Sequence, residues 1–264
     1  MAIRLNGGRE HSDKTSLLWG GLGALSLLAL WQLATLRFPP LVVPPLPQVL
    51  SRLAEIALAR DTLPVMGVTI LRLTAGLAIG VGVGALIGLL AGLSRAAEGM
   101  FTPLLNVFQS VPPVSWLVLA LVWFGFNGRP TVFIVATSSV APVAINLKNG
   151  VRHIDRSLLQ MARLYHLPRR KIFLDIMLPS VRPYFNAALE IVLTQSWKLC
   201  VMGEVLSTTT GVGGKLVQAR QNIEPDVIIA WSVILVILCW LSQALMRRLL
   251  IRGRKRHALG QTPV

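Results

Sequence analysis

The chain has 264 residues, of which 53% are hydrophobic and only 14% charged, with a mean hydropathy of +0.63 and a formal net charge of +15. That balance lies beyond an ordinary soluble domain and reads as an all-α integral membrane protein. The excess charge does not indicate nucleic acid, because the basic residues lie between and after long apolar segments, as the positive-inside rule expects, and not on a soluble surface with stacking aromatics.

Residues 1–15 form a polar tail carrying Arg4, Arg9 and Lys14, expected in the cytoplasm. The transmembrane domain is expected over 16–249. A first span is expected over 17–36, since roughly 20 apolar residues cross a bilayer and a signal peptide's apolar core is shorter. Five prolines between Pro39 and Pro47 then forbid regular structure, and a short amphipathic helix is expected from about 48 to 59.

The second span, 63–93, holds Arg72 near its outer end and a glycine every fourth residue: Gly76, Gly80, Gly84, Gly88 and Gly92. In water each would cost on the order of 1 kcal/mol relative to Ala. Between helices in lipid they form a groove that another backbone can enter, unless they merely reflect the frequency of glycine in membrane helices.

The third span, 104–124, contains Ser110, Pro112, Pro113 and Trp116. Two prolines remove two backbone donors and should break the helix there, which lipid tolerates where the break lines a cavity or packs in protein. Ser110, Pro112, Pro113 and Trp116 are therefore candidate pathway-lining residues, with a purely structural kink as the other reading. The fourth span is expected over 131–147, broken lightly by Pro142.

A long polar interruption, 148–182, follows, with eight basic residues against Asp155 and Asp175. Leu158, Leu159, Ala162 and Tyr165 at helical spacing predict an amphipathic helix over 157–165; Pro168 suits the first turn of a second helix running toward Met177.

The fifth span, 184–206, carries Glu190, Lys198 and Glu204. At 100° per residue they share a face with Thr194, Trp197 and Val201. Ionisable groups in a span point into protein or a wet cavity. Thr194, Trp197, Lys198, Val201 and Glu204 are thus candidates to line a pathway, with Lys198 meeting an anion; alternatively, Glu190 or Glu204 neutralises Lys198. Residues 207–225 return outside, with Gly211, Gly213 and Gly214 in a turn, and the sixth span, 226–246, ends on six basic residues and the cytoplasmic tail 250–264. Six spans with both termini inside place eighteen basic residues in the cytoplasm and six outside.

Cys200 and Cys239 lie in apolar segments without metal-ligand spacing, and His11, His153, His166 and His257 all lie in polar flanks or tails. No metal site is expected, and a membrane enzyme would need a cluster of acid, base or metal-binding groups that the spans lack. A self-sufficient secondary transporter would show an inverted repeat with its own ion site, and none is visible.

Within the polar interruption, Gln160-Met161-Ala162, then His166, then Ile176-Met177-Leu178-Pro179 carry the spacing of a known signature: Glu-Ala-Ala, three residues, Gly, nine residues, Ile-x-Leu-Pro. The chain resembles the inner-membrane permeases of bacterial ABC importers, and Val43 to Leu50, Pro112-Pro113 and Trp123-Phe124-Gly125 resemble their nitrate, sulfonate and taurine branch. The resemblance implies a type I importer permease fold with a cytoplasmic coupling helix. It also implies that Gln160, Met161, Ala162, Tyr165, His166, Leu167, Pro168 and Arg169 dock into an ATPase. His166 stands at the glycine position, and Gln160 lacks the signature's charge.

It further implies a homodimer with two ATPase subunits, a periplasmic substrate-binding protein, and a place in the bacterial inner membrane. The chain has no Walker sequence, so it would be non-catalytic and hold no cofactor, ATP and Mg being bound by the ATPase. The solute implied is a small anion such as a sulfonate, taurine, nitrate or bicarbonate; relatives of the same architecture carry aromatic or pyrimidine-like solutes.

Overall fold

The structure is a computed structural model that describes residues 8–258. In chain order its α-helices are α1 (Gly8–Arg37), α2 (Leu46–Leu58), α3 (Thr62–Leu93), α4 (Arg95–Ser110), α5 (Pro113–Phe124) and α6 (Arg129–Arg152). They continue with α7 (Arg156–Leu164), α8 (Arg169–Lys171), a π-helical turn over Ile172–Met177, α9 (Leu178–Ser207), α10 (Gly211–Gln221) and α11 (Pro225–Ala258). Among the described residues there is no strand. The chain divides into two compact units, one drawn from the chain up to Ala59 with Ala219–Ser232, the other from Arg60–Gln218 with the chain from Val233 on.

In the first unit, the proline-rich connection is tied down by the Trp31 indole N–H, which donates to the Pro44 carbonyl at 3.1 Å. Pro45 caps α2 and Pro47 sits in its first turn, where a missing backbone donor is harmless. Asp226, at the start of α11, accepts from Arg52 Nε at 3.0 Å and from Gln48 Nε2 at 3.4 Å.

The second unit is organised by α3 against α6. A Cβ on Gly76, Gly84 or Gly88 would stand 2.9, 2.6 and 2.6 Å from the carbonyl oxygens of Val132, Val140 and Ala144; one on Gly80 would strike that of Ala136. Both helices advance by four at each step, so they run parallel in constant register, with rows of every fourth residue from each in contact. In lipid no hydrophobic gain drives helices together, and the close approach that glycine permits supplies van der Waals contact in its place.

Two parallel helices joined by chain need one traverse back between them. The pair α4 and α5 supplies it, bent by 92° at the break. The bend follows from Pro112 and Pro113: α4 ends on the Val111 amide, and α5 restarts with Pro113 in its first turn. The helix begins earlier than the expected span, at Arg95, because the Ser94 hydroxyl accepts from the Ala97 amide and caps it.

Helix α9 runs antiparallel to α6. Gly150 faces Tyr184, Ser139 Oγ lies 3.4 Å from Ser196 Oγ, and Thr131 Oγ1 lies 3.1 Å from Ser207 Oγ, so one number falls as the other rises. Val143, Leu147, Val151, Ala188 and Val192 fill the seam.

Among the described residues, three helices could cross a membrane by length and composition, α3, α6 and Pro225–Arg248 of α11, and the bent pair makes four, against the six spans expected. Gly21–Arg37 is a shorter apolar helix. Helix α9, 30 residues long, is not among them: Asn186, Thr194, Gln195 and the charged Glu190, Lys198 and Glu204 lower its hydropathy. The outer segment expected as a turn holds helix α10.

Candidate functional site

Three polar features are strung along the second unit, and the first joins the end of α6 to the start of α9. Asp155 caps α7 by accepting from the Ser157 amide at 2.8 Å, and this hydrogen bond holds its carboxyl below the usual value. Leu159 packs against the α6–α9 seam, and Ala162, three residues on, is fully buried. The helix ends in a Schellman turn: the Leu167 amide donates to the Ala162 carbonyl and the His166 amide to that of Arg163, each at 3.0 Å. His166 takes the left-handed conformation such a turn requires, at φ 49°.

Pro179 then deprives the Asp175 carbonyl of its α-helical donor and crowds it. The helix widens into the π turn, in which the Leu178 amide reaches back to the Phe173 carbonyl. The Ser180 hydroxyl satisfies the Ile176 carbonyl at 2.7 Å.

Gln160, Met161, His166, Pro168 and Arg169 are exposed, and Leu167 is half-buried. Two of the sequence-stretch assignments change here. Tyr165, expected on the apolar side of the helix, is 76% exposed beside Leu164 at 79%. Ala162 faces inward and holds α7 against the second unit, so it offers no surface to a partner. At the same end, Glu98 bridges α4 to α6 by pairing with Arg152 and, at 3.8 Å, with Lys148.

The second feature lies midway along α6 and α9, where the broken helix faces them: a cleft of about 620 Å³. Its polar wall includes Lys198 and Gln195 on α9 and Thr137, Ser138 and Asn146 on α6; its aromatic wall is Phe108 and Trp116. These two rings stack with centroids 5.1 Å apart. Lys198 is exposed, and among the described residues no carboxylate lies within ion-pair distance of it. Its two expected neutralisers are turned elsewhere: Glu190 lies 3.6 Å from Arg247, and Glu204 belongs to the third feature.

That feature closes the opposite end of the second unit. Glu204 is fully buried, and its carboxylate accepts from Arg72 Nη1 at 2.7 Å, Thr69 Oγ1 at 2.9 Å and the Gly213 amide at 2.9 Å. Arg72 also donates to the carbonyl and hydroxyl of Thr210 at 3.0 and 2.7 Å, and its guanidinium lies flat against Gly128. Gly211, at φ 82°, leaves room beside the carboxylate where any Cβ would collide with it. A buried charge is tolerated only with such partners, and both Arg72 and Glu204 stand out in the sequence as charges inside apolar segments.

Of the residues expected along a pathway, the cleft gathers Pro113, Trp116 and Lys198. Ser110 and Pro112 are exposed beside the break, and Val201 and Thr194 are half-buried, the latter bonded to the Glu190 carbonyl. Trp197 is 5% exposed and donates to the Ser242 hydroxyl of α11 at 2.9 Å. The shared face of α9 is therefore divided: Lys198 opens on the cleft, while Trp197 and Glu204 serve packing. Phe108, Gln195 and Asn146 escaped sequence reading, since nothing separates a lone amide or aromatic in a span from ordinary filling.

The family model for the inner membrane component of binding-protein-dependent transport systems matches residues 80–254. SsuC of Escherichia coli (strain K12), named as a permease for aliphatic sulfonates transport, is 27% identical over 91% of this chain and 93% of its own. The taurine transport system permease protein TauC of the same organism is 28% identical over 90% of each. Among solved structures, a chain of the MetNI methionine ABC transporter in inward-facing form superposes with TM-score 0.57 at 19% identity, over 74% of this chain and 99% of that one. The matched span runs from the glycine ladder through the α7 turn and the cleft into α11, and on that ground the chain belongs to the family of inner membrane components of binding-protein-dependent transport systems.

Proposed function

We propose that the chain forms, with a second copy, the translocation pathway of an ATP-driven importer for a small anionic solute of the sulfonate, taurine, nitrate or bicarbonate type. Membership in the family makes it a permease subunit that works with separate ATPase and binding-protein partners. The observation that carries the anion is Lys198: a cation within α9, in a cleft, with no described carboxylate in reach. An isolated charge at that depth is costly, and an anionic occupant offsets it.

The six traverses of this reading are α1, α3, the α4–α5 pair, α6, α9 and α11, with a transmembrane domain over 16–249 between polar tails 1–15 and 250–264. The basic end carrying α7 and both termini faces the cytoplasm, as the charge bias supports. There the exposed face around Gln160, Met161, Tyr165, His166, Leu167, Pro168 and Arg169 docks on an ATPase that binds ATP and Mg. A periplasmic binding protein delivers solute at the end closed by Arg72 and Glu204. Closure of the ATPases drives alternating access, each partner acting by its differential affinity for the two states.

The test is uptake of a sulfonate by the complete importer in proteoliposomes. A hydrogen bond to a charged group is worth about 1.5–3 kcal/mol, so Lys198→Met should lower uptake about tenfold to a hundredfold and Lys198→Arg should retain most of it. Full uptake by Lys198→Met would refute the anion role.

A further inference from the structure

We propose that the mid-depth cleft is a solute subsite of the permease itself, selective for an organic anion with a flat apolar body, such as an aryl sulfonate, over a bare inorganic oxyanion. The inference rests on the pathway reading above and narrows it to one substrate class.

The cleft has two walls of different chemistry. Lys198 and Gln195 bring donors to one side, and the amino-terminal turn of α5, with Pro113 at its start, opens on the same space. A helix amino terminus carries partial positive charge, so it adds to Lys198 in favouring an anionic head. Phe108 and Trp116 line the same space, stacked on one another with an interplanar angle of 21°. Aromatic faces take a further ring in offset or edge contact, and such pairs add to the gain from area alone.

The volume of about 620 Å³ suits an organic molecule, within the range of ordinary ligand pockets, and would leave a nitrate ion mostly surrounded by water. Asn146 spends one of its two amide N–H donors on the Pro142 carbonyl at 2.9 Å, which leaves its carbonyl oxygen and one N–H. A polar substituent with a donor, such as an amine or hydroxyl on the ring, would find its acceptor there.

The experiment is calorimetric titration of the purified permease–ATPase complex in nanodiscs, without the binding protein, using benzenesulfonate, ethanesulfonate and nitrate. Benzenesulfonate should bind about tenfold or more tighter than either of the others. Phe108→Leu should weaken benzenesulfonate more than ethanesulfonate and so narrow that preference. Lys198→Met should weaken all three anions. Equal binding of nitrate and benzenesulfonate would overturn the inference and leave the anion role of Lys198 standing. Absence of binding by all three would overturn it too, and the uptake assay on Lys198→Met would then decide separately whether the pathway reading survives.

Discussion

Replacing Gly84 by Ala, with Gly82→Ala as its control, measures how much the packing of α3 on α6 depends on bare backbone. The two positions are two residues apart in one helix, so any gain in helix propensity, on the order of 1 kcal/mol, is common to both. No heavy atom lies within 4 Å of where a Cβ on Gly82 would sit. At Gly84 that atom would stand 2.6 Å from the Val140 carbonyl oxygen and 3.0 Å from Val143 Cβ. Neither neighbour is the far end of a flexible side chain, so relief requires the two backbones to part. A radial gap of about 0.5–1 Å forfeits a quarter to a half of each dispersion contact, and overpacking a closed interior costs about 1–3 kcal/mol. Equilibrium unfolding of the purified permease in mixed micelles should therefore find Gly84→Ala less stable than Gly82→Ala by about 1–3 kcal/mol. Equal stability of the two variants would mean that the glycine period does not set the spacing of these helices.

The buried ion pair makes a second prediction. Arg72→Met strands the Glu204 carboxylate and should cost about 3–5 kcal/mol, whereas Arg72→Met with Glu204→Gln should recover much of it; thermal unfolding that finds the double variant no better would deny the pairing. The third concerns acid. Asp155 has its folded pKa lowered below 3.8 by the Ser157 amide, so its cap contributes fully at pH above that value and is lost as pH falls through the lower folded value. Protection of the α7 amides against hydrogen exchange, taken relative to the intrinsic rate at each pH, should fall below pH 3.8 in the native protein but not in Asp155→Asn, which keeps a capping oxygen without a charge to lose. Coincident profiles would deny the charge a role. The fourth places the docking surface: Leu164→Asp or Tyr165→Asp, on exposed positions, should leave folding unchanged and abolish ATPase stimulation, while Ala162→Asp, which buries a carboxylate, should also loosen α7. Normal stimulation in the first two variants would move the docking surface elsewhere.

How far these features could be read from the chain alone depended on whether their signal was local. The glycine period, the Pro112-Pro113 break and the positive φ at His166 are consequences of what single residues can do with their own backbone, and each was legible. The partner of the glycines was not, because a groove does not say which helix fills it; the parallel register with α6 emerges only from matched positions far apart in sequence. The face of α9 was read as a unit because 100° spacing puts Trp197, Lys198 and Glu204 together. What divides them is long-range: Ser242 takes Trp197, Arg72 takes Glu204, and Lys198 is left to the cleft. Asp155 was counted only as a counter-charge, although an acid one residue before a helix is an ordinary cap.

The order of the three polar features along α6 and α9 bears on how a push could be passed through the molecule. Helix α7 is held by Leu159 to the seam of α6 and α9, and α6 is held along five turns to α3. A close-packed interior deforms little, so force applied at α7 moves α3, α6 and α9 nearly as one piece. The compliant element in contact with them is the α4–α5 pair, where two prolines have already removed the backbone bonds that would resist bending. It meets the rigid piece through Glu98 with Arg152 and Lys148 at one end, and its Phe108 and Trp116 line the cleft together with residues of α6 and α9. Rigid movement of α6 and α9 against a hinged α4–α5 must therefore change the distance between Lys198 and the aromatic wall. It does so without disturbing the Arg72–Glu204 pair, whose members both ride on the rigid piece. If, as proposed, Lys198 holds the solute anion and an ATPase pushes on α7, displacement at α7 would alter that hold.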